Sequence, residues 1–313
     1  MTITVLDGNA LNPGDLSWKV LEKFGTVTVY PRTDAQDVVA RIGNSDAILL
    51  NKITIDEDIL ARCSSLRYIG VQATGYNVID IEACRRHGVT VTNVPSYSTA
   101  GVAQLVFAYL SEFACHVQLH SDSVMAGDWI KAKDFCYWQL PLMELAGKTL
   151  GIFGYGSIGS RVAQIAKAYG MKVLVCTRTP KEGVVSVDFE TLLKNSDFVS
   201  LHAPLTPQTK GLINKESLSL MKPSAYLINT ARGGLVDEAA VRDALVTRSI
   251  AGYAADVVLE EPMNAGNPLY GAPNCLLTPH IAWAAVETRQ RLLDIVVANL
   301  QAFIDGQPQN VVS

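Results

Sequence analysis

Apolar and polar positions alternate along this chain in two distinct rhythms. Short, almost wholly apolar runs fall at residues 3–6, 27–30, 47–50, 68–71 and 90–93. Runs of that length, bounded by polar turns, read as strands covered on both faces. Between them, apolar residues return at helical spacing over 16–24, 34–42, 56–63 and 79–87. Strand–helix alternation of this kind predicts a parallel sheet with helices on both sides. Pro95-Ser96-Tyr97-Ser98 then introduces a long apolar helix predicted over 99–120, followed by an irregular stretch, 121–147, rich in Trp, Phe and Tyr. Alternation resumes at residue 148 and continues to about 283, with strands at 171–176, 198–201, 225–229, 250–254 and 274–277. A last helix is predicted over 285–303. The pattern therefore gives an α/β chain with two doubly wound parallel-sheet regions.

The two regions differ in one respect. The first has no glycine fingerprint, whereas the second opens on a strand, then Gly154-Tyr155-Gly156-Ser157-Ile158-Gly159, then an amphipathic run over 160–169 and a second strand. In that order Gly154 permits a tight turn, Gly156 lets backbone approach a pyrophosphate, and Gly159 lets helix pack on strand. The helix N-terminus adds N–H groups and a positive dipole end. An NAD site usually carries an acidic residue roughly 20 positions on. Here Thr177-Arg178-Thr179 stands there, with Lys181 close by. A guanidinium beside hydroxyls suits the 2′-phosphate of NADP, which a carboxylate would repel. NADP is thus preferred and NAD remains possible, because Arg178 and Lys181 also read as ordinary solvated loop charges.

Bulk properties narrow the class. With 313 residues, 49% apolar and 18% charged, the chain is long enough for two domains with substantial cores. A formal charge of -4 gives no case for nucleic acid, and no basic cluster suggests a membrane surface. Six scattered cysteines without metal spacing, and an N-terminus without a basic region and cleavage site, lead us to expect a cytoplasmic protein with reduced thiols. His116 and His120 share a helical face, but no third ligand lies near and no metal is assigned.

Three polar residues fall just past predicted strands, where open α/β sheets bind ligands. They are Arg232 after 225–229, Glu261 after 250–254 and His280 after 274–277. Singly, each has a bland reading as a surface or structural residue. Jointly, beyond a dinucleotide loop, they suit reduction of a 2-oxo acid. Arg232 can grip the carboxylate with two parallel bonds and polarise the neighbouring carbonyl. His280 can donate the proton, and Glu261 can hold the second ring nitrogen and favour the imidazolium.

These motifs resemble the D-isomer-specific 2-hydroxyacid dehydrogenases over essentially the whole chain. The resemblance rests on the glycine loop, His202-Ala203-Pro204-Leu205-Thr206-Pro207, Asn229-Thr230-Ala231-Arg232-Gly233-Gly234, Asp256 with Glu261-Pro262, and Thr278-Pro279-His280-Ile281-Ala282. It implies that Arg232 anchors substrate, Glu261 orients His280, and His280 gives the proton. It further implies that His202, Ala203, Pro204 and Thr209 line the cofactor cleft with the glycine loop, and that Thr230, Ala231, Arg232, Asp256 and His280 meet the nicotinamide end. Ala73, Thr74 and Gly75 match the family's substrate-carboxylate loop. Together with Asn51-Lys52 and Trp283, they look most like glycerate dehydrogenases, also called hydroxypyruvate or glyoxylate reductases. Lys52 and Trp283 are accordingly substrate-side candidates, and Trp283 either narrows the pocket or packs between domains.

The resemblance also implies an architecture. A flavodoxin-like substrate domain, 1–98 rejoined by 284–313, would hold an inserted Rossmann cofactor domain, 99–283. The stretch near 121–147 would be a homodimerisation arm, with Trp138 a candidate to reach the partner's site. No regulatory domain is expected beyond the end. Two other functions stay open: a D-lactate-type or broad 2-oxo acid reductase, and an NAD(H)-sensing, corepressor-like binding protein.

Overall fold

The computed structural model describes residues 1–179 and 181–313, and it divides into two compact units. Met1–Ser98 with Trp283–Ser313 form the first, and Thr99–Ala282 the second. Trp283 thus falls with the first unit, one residue from the boundary the sequence suggests.

The first unit is built on five strands: β1 (Thr2–Val5), β2 (Thr26–Val29), β3 (Ala47–Leu50), β4 (Tyr68–Val71) and β5 (Thr90–Thr92). All pair in parallel in the order β2-β1-β3-β4-β5, the flavodoxin-like arrangement. Every residue of β3 and β4 is buried, as their unbroken apolar sequences require, whereas the edge strand β2 alternates and turns Thr26 and Thr28 outward. One face of the sheet packs Ile48, Leu50 and Ile69 against Val38, Ile42, Leu60 and Ala83. The other face receives the terminal helix Val286–Ile304, whose Leu292, Leu293, Val296 and Leu300 meet Ile3, Val5 and Tyr68. That helix is anchored by Arg289, which is buried and pairs with Asp15 while donating to the carbonyls of Ala284 and Leu11.

Among the described residues, the second unit holds seven parallel strands: β6 (Thr149–Phe153), β7 (Lys172–Cys176), β8 (Val185–Ser186), β9 (Phe198–Leu201), β10 (Tyr226–Asn229), β11 (Gly252–Ala255) and β12 (Cys275–Leu277). Their order, β12-β11-β10-β9-β6-β7-β8, reverses between β6 and β9 and is that of a Rossmann sheet. Helices Thr99–Cys115 and Ser157–Ala168 cover one face, and Phe189–Asn195, Lys215–Ser219 and Glu238–Val246 cover the other.

Several expectations are corrected. The helix predicted over 99–120 breaks at His116, whose φ of 47° is left-handed; Thr99–Cys115 and Val117–Met125 meet there at 57°. The first segment buries Val106, Leu110 and Phe113 in the sheet's core, while Val117 lies exposed, so the chain leaves the core where core contacts end. Part of the stretch expected to be irregular, up to Met125, is therefore helical. The segments 16–24 and 34–42 contain 3₁₀ turns, Trp18–Phe24 and Ala35–Asp37, and the second continues as a single α turn, Val38–Ile42. A four-residue helix, Gly8–Leu11, was too short to show in periodicity. Among the described residues, no single helix is long and apolar enough to cross a membrane.

Candidate active site

The site of the second unit follows from strand register. Cys176, Phe153, Leu201, Asn229, Ala255 and Leu277 lie side by side in one row across the sheet. The next residue of each strand is Thr177, Gly154, His202, Thr230, Asp256 or Thr278, so sequence-distant candidates form a second row one step beyond. Hydrogen bonds carry the ladder that extra step: Gly154 N–H to Cys176 O (2.9 Å), His202 N–H to Phe153 O (2.7 Å), Asp256 N–H to Asn229 O (3.1 Å) and Thr278 N–H to Ala255 O (3.0 Å).

Beyond β6, Gly154 turns with φ of 94°, and a Cβ there would lie 2.7 Å from the Ala203 nitrogen and the His202 carbonyl carbon. Gly159 is tighter still, since its Cβ would meet the Gly154 oxygen at 2.1 Å. Gly156 differs: nothing lies within 4 Å of its Cβ position. Two of the three glycines are therefore demanded by the protein's own packing, and the third leaves open space where backbone can meet a ligand. The helix starts at Ser157, with Gly156 as its N-cap, three residues earlier than the amphipathic pattern suggests. Tyr155 and Ile158 pack on the core, while Gly156 and Ser157 are exposed at the helix end. This cradle fits a pyrophosphate.

The neighbouring loops complete the edge. Thr177 is half-buried, and Arg178, Thr179 and Lys181 are exposed. His202 holds Ser200 Oγ at 2.8 Å from Nε2, and burial pushes its imidazole down to about 4, so it is neutral near pH 7. Ala203 is buried and Pro204 exposed. The Thr209 hydroxyl is engaged inside its own turn, donating to Pro204 O (2.7 Å) and accepting from Thr206 N–H (2.8 Å). Thr230 is buried, and its Oγ1 has no hydrogen-bond partner among the described residues. An orphaned hydroxyl on this row is a place for a polar atom of a bound group.

After β10, Asn229 shapes the turn by accepting from Ala231 N–H (3.0 Å) and donating to Arg232 O (2.9 Å). Arg232 is exposed and donates from Nη1 to Ala231 O (2.7 Å). Gly233 fixes this turn against the next loop, for a Cβ there would fall 2.0 Å from the Val258 carbonyl carbon. That loop carries Glu261, whose Oε2 lies 2.7 Å from His280 Nδ1, while Oε1 accepts from Val258 N–H (3.3 Å). A carboxylate at Nδ1 holds the proton there and leaves Nε2 for chemistry.

Asp256, which the resemblance assigns to the nicotinamide end, is 1% exposed and is held by bonds within the protein. Its two oxygens accept from Ile281 N–H and Ala282 N–H, each at 2.8 Å, and Oδ1 also accepts from the Thr278 hydroxyl (2.5 Å). His280 sits inside this clamp with φ of 54°, and its own N–H donates to Asp256 O (2.9 Å). No spacing in the sequence distinguishes such a clamp from a ligand-facing carboxylate.

In the first unit, the strand ends assemble the other candidates. Lys52 follows β3, and Ala73, Thr74 and Gly75 follow β4. Asp7, after β1, accepts from Asn51 N–H (2.9 Å) and Lys52 N–H (2.8 Å); burial raises its carboxyl above 3.8 against the lowering pull of these bonds. Thr74 is tied at both ends, its hydroxyl to Val94 O (2.8 Å) and its carbonyl to Asn93 Nδ2 (2.7 Å). Gln72, just before it, is fully buried with both amide atoms unpartnered among the described residues. Trp283 packs on the apolar cluster of this unit that includes Tyr97 and Leu292.

Among the described residues no group of three or more His, Cys, Asp or Glu is arranged to hold a metal ion. The ring nitrogens of His120 are engaged locally, Nδ1 with His116 O (2.8 Å) and Nε2 with Gln139 N–H (3.1 Å).

Comparison with known proteins places this geometry in context. A model of the family described as D-isomer specific 2-hydroxyacid dehydrogenase, NAD binding domain, matches residues 107–282. A hydroxypyruvate reductase of Blautia hydrogenotrophica is 44% identical, with all of both chains covered. A glycerate dehydrogenase of Methylorubrum extorquens is 44% identical over 88% of each chain. Among solved structures, an acyclic imino acid reductase in complex with NADPH and D-Arg superposes with a TM-score of 0.87 at 30% identity, over all of both chains.

Proposed function

This chain belongs to the D-isomer specific 2-hydroxyacid dehydrogenase family, and on that premise we propose that it reduces hydroxypyruvate or glyoxylate to D-glycerate or glycolate. The observation that carries the reading is the 2.7 Å contact between His280 Nδ1 and Glu261 Oε2, beyond the same strand row as the glycine cradle. The nicotinamide cofactor supplies the hydride. Gly154, Gly156 and Gly159 with the helix end at Ser157 hold its pyrophosphate, and the orphaned Thr230 hydroxyl takes one of its polar atoms. Arg232 keeps most of its donors for the substrate carboxylate and the adjacent carbonyl oxygen. His280 gives its Nε2 proton to that oxygen as charge develops, and Glu261 stabilises the ring while it is charged. In the reverse direction the neutral ring accepts the proton. Lys52, Ala73, Thr74 and Gly75 remain the substrate-side candidates that the family resemblance implies.

The nucleotide is NADP in this reading. The exposed Arg178 beside Thr177 and Thr179 supports it, as the sequence has no acidic residue between Cys176 and Glu182. The relative solved with NADPH lends the same support. The chain is a cytoplasmic homodimer. Trp129, Ile130, Phe135 and Trp138 lie 52–89% exposed on the stretch after Met125, too much apolar surface to leave in water. All six cysteines are free thiols, which suits a reducing compartment. The dehydrogenase and reductase names of the relatives give no support to a purely NAD(H)-sensing role.

A panel of hydroxypyruvate, glyoxylate and pyruvate against NADPH and NADH tests this, followed by nicotinamide absorbance. Hydroxypyruvate or glyoxylate with NADPH should give the highest kcat/KM. Equal or better turnover of pyruvate with NADH would replace it with a D-lactate-type activity. Tight cofactor binding with no turnover of any 2-oxo acid would replace it with a binding role.

A further inference from the structure

The clamp that holds His280 has a further member in the helix beneath the sheet. Tyr109, on helix Thr99–Cys115, is 5% exposed, and its hydroxyl lies 2.5 Å from Thr278 Oγ1. Thr278 Oγ1 in turn lies 2.5 Å from Asp256 Oδ1. The direction of this chain is fixed by counting protons. A carboxylate only accepts, so the single hydroxyl proton of Thr278 points to Asp256, and Thr278 must accept from Tyr109. Burial raises the Tyr109 phenol, which keeps that proton in place.

We propose that Tyr109 is a positioning residue for the reaction: through Thr278 and Asp256 it holds the left-handed backbone of His280 in register with Glu261. Three observations meet in this assignment. His280 is a non-glycine residue at φ of 54°, a conformation that surrounding bonds must maintain. Those bonds are the N–H groups of Ile281 and Ala282, both on Asp256. Asp256 Oδ1 is shared between Ile281 N–H and the Thr278 hydroxyl, so the rotamer of Thr278 sets where that oxygen lies. Tyr109 touches neither substrate nor cofactor in this account and acts on His280 alone. The assignment rests on the reductase reading above.

The test is a double-mutant cycle on the full-length protein. Tyr109→Phe should lower kcat for hydroxypyruvate by about fivefold and Thr278→Val by about tenfold or more, because a misplaced proton donor loses rate steeply with distance. KM and cofactor Kd should stay within about twofold of wild type, since the anchoring groups are untouched. Thr278→Ser should restore most of the rate. The double variant should be no slower than Thr278→Val, because both changes cut one chain. Thr278→Val leaves the tyrosine in place and tests the same chain should Tyr109→Phe fold too poorly to assay. A wild-type kcat in Tyr109→Phe, or a double variant whose loss is the product of the two singles, would overturn the proposal. The ring ¹⁵N signals of His280, read without substrate, separate this from failure of the reductase reading: Tyr109→Phe should move them even if no 2-oxo acid is turned over. Unmoved signals would refute the role of Tyr109, whereas an inactive wild type with moved signals would refute only the reaction.

Discussion

Two loops leave the same edge of the second sheet, one after β6 and one after β12, and they reach fixed shapes by opposite means. The glycine loop removes side chains. At Gly154 and Gly159 backbone comes so close that a Cβ would stand 2.1–2.7 Å from its neighbours. The histidine loop keeps a bulky residue in a left-handed conformation and supplies bonds to hold it there. Asp256 accepts from two N–H groups and one hydroxyl, and Glu261 takes the ring. The difference fits the work proposed for each loop. A pyrophosphate is met by backbone N–H groups, so bare backbone suffices. A proton donor is a side chain, and its direction must be over-determined.

Each side of this contrast can be broken separately. The largest effect belongs to the histidine loop: His280→Ala should lower kcat by about 10²–10⁴-fold, with cofactor affinity unchanged by fluorescence titration. A loss under tenfold would mean that another group donates the proton.

Next comes His202, which lies against Gly154 and is held neutral. Its folded pKa of about 4 lies below its ordinary 6.5, so the unfolded chain takes up a proton first as pH falls. Its contribution to stability is complete above pH 6.5 and drains away between 6.5 and 4, reaching about 3 kcal/mol. His202→Asn should flatten that part of the Tm–pH curve. An unchanged slope would place the proton uptake elsewhere.

Within the glycine loop the three positions should separate. Gly159→Ala should destabilise by at least about 2 kcal/mol through its clash with the Gly154 carbonyl. Gly156→Ala should leave Tm nearly unchanged while weakening cofactor binding about tenfold or more, because its Cβ meets only the space meant for ligand. Equal Tm losses would remove the distinction between packing glycine and ligand glycine. The smallest effect is expected from Arg178→Ala, a drop of about tenfold in the NADPH-to-NADH ratio of kcat/KM, the loss of one charge-assisted phosphate contact. A constant ratio would return Arg178 to the status of a solvated loop residue.

Much of this was legible in the residues themselves. Burial on both faces leaves strands with unbroken apolar runs, so β3 and β4 match the predicted residues 47–50 and 68–71, and β9 matches 198–201 with only Ser200 interrupting its run. The glycine loop is legible because its need for bare backbone is local. Arg232, Glu261 and His280 could be singled out because each follows a strand end. The break at His116 could not be placed from spacing, since Val117 and Leu119 continue the helical pattern across it while the core it packs on stops.

Sequence alone therefore indicated most of the strands, their parallel character and which three residues are candidates for the chemistry, all of which depend on spacing along the chain. Tertiary structure decided the strand register that lines up Gly154, His202, Thr230, Asp256 and Thr278. It also decided that Asp256 turns inward, and that Tyr109 stands under Thr278. The physical reason is that a carboxylate or hydroxyl has no preferred partner until folding brings one within hydrogen-bond range. Residues 109, 256 and 278 are neighbours only across a finished sheet.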